Sequence, residues 1–72
     1  MKEGEKLRPD WKKFAKICID KEVAPTVVFK ELGFSQSSAS EWKHGRNFPK
    51  SDKVKMIAEY LGVEVEELYT NV

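Results

Sequence analysis

Apolar residues recur along this chain at intervals of three and four. Trp11, Phe14, Ala15 and Cys18 stand at i, i+3, i+4 and i+7, the spacing that lines one face of an α-helix. Lys12, Lys13 and Lys16 fall on the other faces. Pro9 suits a first helical position, so the pattern predicts a helix from about Pro9 or Asp10 to Lys21, after a flexible arm at residues 1–8. A second helix opens at Pro25 and bears Val28, Phe29 and Leu32 on a short apolar face. Gly33 ends it, because a left-handed residue there satisfies the last carbonyls without a Cβ clash. Ser35 is the expected N-cap of a third helix, its hydroxyl accepting a backbone N–H two or three residues on. That helix runs to about His44 and stops at Gly45. After the loop Asn47-Phe48-Pro49, Ser51 or Asp52 caps a fourth helix with Val54, Ile57, Ala58 and Leu61 on one stripe, closed by Gly62. A short fifth helix holds Val65, Leu68 and Tyr69. No strand pattern is visible, and the expected class is all-α, with residues 9–72 forming one domain.

The third helix has an unusual polar face. Ala39 and Trp42 are its apolar side, while Gln36, Ser37, Ser40 and Glu41 fall on the other. A solvated helix carries long charged residues there, because these form helices well and keep their heads in water. Short hydroxyl and amide groups suit close approach to a surface rich in hydrogen-bonding groups, and the major groove of DNA is such a surface. The spacing makes the motif specific. Phe29, Gly33, Ala39 and Trp42 occupy positions 5, 9, 15 and 18 of a twenty-residue unit that begins at Pro25. A helix-turn-helix needs a small-to-medium core residue, a turn glycine and two further core residues at those places.

With LGFSQSSASEWKHGR, the following Pro49 and IAEYLGVEVEELY, the chain resembles the Cro and phage-repressor family of helix-turn-helix regulators, also called the xenobiotic-response-element family. The resemblance covers about residues 10–70. It implies a five-helix bundle of the lambda-repressor-like type, with the motif in helices 2 and 3, dimerisation, and binding to palindromic operators. Carried over residue by residue, it assigns major-groove contacts to Gln36, Ser37, Ser40 and Glu41. Gln36 can pair with adenine N6 and N7, and Glu41 can accept from cytosine N4. Glu41 has alternative roles, orienting a Lys or Arg or repelling wrong registers. Phosphate contacts fall to Ser35 with its neighbouring amides, His44, Arg46, Asn47 and Lys50, then to Lys43 and Lys53. The family's polar residue at position 1 is Pro25 here, and Thr26 is the substitute. The family usually has Ala where this chain has Phe29, and Val or Ile where it has Ala39. The swap reads as large-for-small compensation that keeps core volume constant.

Charge changes the picture in one respect. The net charge is only +1, yet residues 41–55 carry five Lys/Arg against two acids, and residues 56–72 carry four Glu and no cation. The positive block follows the third helix, where phosphates would lie, and the acidic tail would point away from a polyanion. With 72 residues and eight aromatics, the chain supports one core, although a domain this small buries only roughly 60% of its unfolded surface. The lone Cys18 makes no internal disulfide, no apolar run approaches the roughly 20 residues of a membrane span, and the first ten residues lack an apolar signal region. The expectation is a cytoplasmic protein.

One recognition helix reads few base pairs, so a homodimer is expected to place two helices one helical turn apart. Val63, Val65, Leu68, Tyr69 and Val72 either meet their mates across that interface or close the monomer core. The runner-up function is a protein-interaction module of helix-turn-helix shape, an antitoxin or anti-repressor target, which the modest charge and Glu41 favour. Catalysis is not expected. One His and one Cys are too few for a zinc site, Cys18 lies on an apolar face where a thiol is inert, and no Gly-rich phosphate loop is present. No cofactor is expected, and with no second domain in view there is no place for a small-molecule ligand. A stand-alone Cro-like phage or prophage repressor is the reading.

Overall fold

Asp10 fixes where the chain turns helical. Its carboxylate accepts the backbone N–H of Lys12 at 3.0 Å, and its own N–H donates to the Leu68 carbonyl at 2.8 Å. In the computed structural model, which describes residues 7–71, α1 therefore runs Trp11–Asp20. Pro9 lies before the cap and not inside the helix. It ends a three-residue strand, β1 (Leu7–Pro9). The other helices are α2 (Pro25–Glu31), α3 (Gln36–Lys43) and α4 (Ser51–Leu61). A single 3-10 turn at Val65–Leu68 follows, then β2 (Tyr69–Asn71).

The fold is mostly helical, with departures from expectation at both ends of the described chain and at the cap of α4. The fifth helix is a 3-10 turn of four residues, and Tyr69 leaves it for β2. The strands pair antiparallel, Leu7 opposite Asn71, Arg8 opposite Thr70 and Pro9 opposite Tyr69. Leu7 and Arg8 are thus strand residues and not part of a free arm; the rest of the expected arm, residues 1–6, lies outside the described residues. Pro9 is tolerated because it is the last residue of an edge strand, where a missing N–H is harmless. The cap of α4 also differs. Lys50 occupies it without a side-chain bond, and Asp52 instead accepts the N–H of Lys53 at 2.9 Å.

The core gathers the predicted apolar faces. Phe14, Cys18, Val28, Phe29, Ala39, Trp42, Val54, Ile57, Ala58, Leu61 and Leu68 are all buried. Trp42 of α3 stacks on Phe14 of α1 at 5.0 Å between ring centroids, and Trp11 meets both rings edge-on at 5.2 and 5.3 Å. Phe29 of α2 adds edge contacts to Phe14 and Phe34. Such pairs each contribute about 0.5–1.5 kcal/mol beyond the area they bury. The Trp42 indole N–H is satisfied inside this core by the Pro9 carbonyl at 3.2 Å. Leu68 is completely buried within one chain, so it closes the core and does not reach a second copy. Val63, Val65 and Tyr69 are half-buried against the same core, and Val72 lies outside the described residues.

Candidate nucleic-acid interface

The turn between α2 and α3 sets the angle at which α3 is presented. Gly33 has φ of 77°, the Phe34 N–H reaches back to the Phe29 carbonyl at 2.8 Å, and the Gly33 N–H to Lys30 at 3.1 Å. A Cβ placed on Gly33 would meet nothing within 4 Å. The glycine is therefore required by backbone conformation and not by lack of room. Ser35 then caps α3 as expected, its Oγ accepting the Ser38 N–H at 3.2 Å. The Ser35 hydroxyl also lies 2.9 Å from that of Ser38 and 3.2 Å from that of Ser37. These serines form one hydroxyl cluster at the helix start.

Ala39 and Trp42 anchor α3 inward, while Gln36, Ser37 and Ser40 are exposed and Glu41 is half-exposed. Gln36 is held rather than free. Its Nε2 donates one proton to the Thr26 carbonyl in the first turn of α2, at 3.1 Å. The second amide proton and Oε1 bond to nothing among the described residues, which leaves the donor–acceptor pair that an adenine edge needs. Thr26 thus serves the site through its backbone, with its side chain exposed beside Pro25.

At the other end of α3, Glu41 and Arg46 form a two-point ion pair, with Arg46 Nε 3.1 Å from Oε1 and Nη2 3.2 Å from Oε2. This contact is the arrangement expected of a Glu41 that orients an arginine. The pairing occupies the Nε and Nη2 edge of Arg46 and leaves its side chain exposed. His44 bonds through Nδ1 to the Ser40 carbonyl at 2.9 Å. A carbonyl only accepts, so Nδ1 carries the proton. Lys43, Asn47 and Lys50 are exposed.

An open cleft of about 430 Å³ runs beside α3, lined by Ser37, Ser38 and Glu41 from the helix and by Asn47, Lys50 and Lys53 from the segment that follows. The rings of Phe29, Phe34 and Phe48 supply its apolar surface. Two cations are held over these rings: Lys53 Nζ lies 5.1 Å from the Phe34 centroid and the Arg8 guanidinium 5.0 Å from that of Phe48. Sequence reasoning ranked Lys53 low and assigned Arg8 to the arm. Only tertiary packing brings either cation to its ring, so no local signal marked them. Lys13, by contrast, donates to the Tyr69 carbonyl at 2.7 Å, a structural use.

Cys18 stands outside the site. Burial pushes its thiol up to about 11, because the thiolate would lose its hydration. Among the described residues no helix is long and apolar enough to cross a membrane. Compared with protein-family models, curated proteins and solved structures, the chain matches none.

Proposed function

We propose that this chain is a sequence-specific regulator that binds duplex DNA as a homodimer, of the Cro and phage-repressor type, acting in the cytoplasm by occupying an operator. One observation carries the reading. The helix after the Gly33 turn buries Ala39 and Trp42 and turns Gln36, Ser37 and Ser40 outward, beside a cleft flanked by Lys50 and Lys53. Small donors and acceptors on an outward helix face fit base edges, and lysines on its flank fit phosphates. In the dimer, Val65 and Tyr69 remain the candidate contacts of the terminal segment, since Leu68 is used within the chain.

The competing reading is a protein-interaction module. The neutralised Glu41–Arg46 pair favours it, because the pair subtracts one cation from the face that would meet phosphates. A retardation assay on random duplex DNA at several salt concentrations separates the two. A DNA binder loses affinity steeply with salt as condensed counterions are released. Absence of binding at low salt, or binding with no salt slope, would falsify the regulator reading.

A further inference from the structure

The Glu41–Arg46 pair has a geometry that assigns it a more specific task, and the assignment rests on the DNA-binding reading above. A guanidinium carries five N–H donors. Glu41 takes the edge formed by Nε and Nη2, which leaves one proton on Nη2 and both on Nη1. The open edge between Nη1 and Nη2 is a parallel two-donor fork, the shape that matches O6 and N7 of guanine.

Electrostatics separates a base from a phosphate as the fork's partner. The pair is neutral as a unit, so it gains little from the field of the DNA backbone, and its carboxylate would stand close to any phosphate that Arg46 gripped. Guanine offers uncharged acceptors and imposes no such repulsion. Fixing the guanidinium on a carboxylate also lowers the freedom that an arginine loses on docking. The location agrees. Arg46 follows α3 in sequence but folds back onto Glu41, four residues from Ser37 and one from Ser40, so its head sits on the flank of the base-facing side. Its side chain is 57% exposed there, against 38% for Glu41. Lys50 and Lys53, which have no ion-pair partner among the described residues, line the neighbouring cleft and suit the phosphates.

We infer that Arg46, positioned by Glu41, selects a guanine in each half-site and is not a phosphate clamp. Site selection from random duplexes, with affinities measured at several salt concentrations, tests this on the wild type, Arg46→Ala and Glu41→Gln. Thermal melts confirm that these exposed variants stay folded. The wild type is expected to select one fixed guanine per half-site. Arg46→Ala is expected to erase that preference and weaken the selected site roughly five- to a hundredfold. Glu41→Gln is expected to blur the guanine and steepen the slope by up to about one unit, as the released arginine takes up a phosphate. If Arg46→Ala weakens all sequences alike and selection still returns the guanine, the guanine assignment is overturned while DNA binding stands. An unaltered motif and slope in Glu41→Gln removes the positioning role of the carboxylate. A wild type that binds no duplex removes the DNA-binding reading itself, a result distinct from both.

Discussion

Phe29 and Ala39 test the expected large-for-small exchange at the scale of single residues. Both are buried, with Phe29 against the rings of Phe14, Phe34 and Trp42. Phe29→Ala is expected to destabilise by about 3–5 kcal/mol, much of what a domain this small possesses. Ala39→Val is expected to destabilise by about 1–3 kcal/mol through overpacking. Urea melts of both variants check the argument, and an unchanged midpoint for either rejects it. Cys18 gives a pH prediction. Its neutral form is favoured in the folded state, so its contribution is fully present below the ordinary thiol value of 9.0 and is lost as pH rises towards 11. The loss amounts to about 2–3 kcal/mol over that interval. It should be missing from Cys18→Ala when thermal midpoints are compared between pH 8 and 11. At the proposed base-reading face, Gln36→Ala should weaken the preferred site by about 1–3 kcal/mol and relax one position, whereas Lys50→Ala should weaken all sequences and reduce the salt slope by about one unit. Selection that returns an unaltered motif with Gln36→Ala would remove its reading role.

At the scale of elements, what could be read beforehand was what short-range chemistry determines. The apolar stripes of α1 and α4, the Pro25 start, the Gly33 stop and the Ser35 cap each depend on residues within one turn of one another, and each is found where the spacing put it. The misses depend on partners far along the chain. β1 and β2 are three residues each, too short for an alternating pattern, and exist because Leu7–Pro9 meets Tyr69–Asn71. That pairing draws Tyr69 out of the last turn and Pro9 out of α1. The outward residues of α3 were legible, but the bonds of Gln36 to Thr26 and Arg46 to Glu41 were not, since side-chain direction follows from packing. The Gly33 turn yields its own test. Gly33→Ala forces a Cβ into the left-handed region and should lower stability by about 1–2 kcal/mol. Gly33→Asn should fall between the two, because Asn tolerates that conformation better. Equal thermal midpoints for all three would show that the turn does not hold φ near 77°.

Across the whole molecule, the described ends are joined to the candidate reading helix. β1 pairs with β2, Asp10 bonds to Leu68, and the Pro9 carbonyl receives the Trp42 indole. The sheet is thus a brace under α3 as well as a closure of the termini. The same arrangement supplies an optical handle. The indoles of Trp11 and Trp42 lie 5.3 Å apart and nearly perpendicular, at 85°. Neighbouring chromophores so disposed share their excitation, and the shared transition splits into a paired circular-dichroism band of opposite signs. Since one indole belongs to α1 and the other to α3, that couplet reports the seating of α3 without any added label, and titration with duplex would reveal whether docking shifts the helix on its bed.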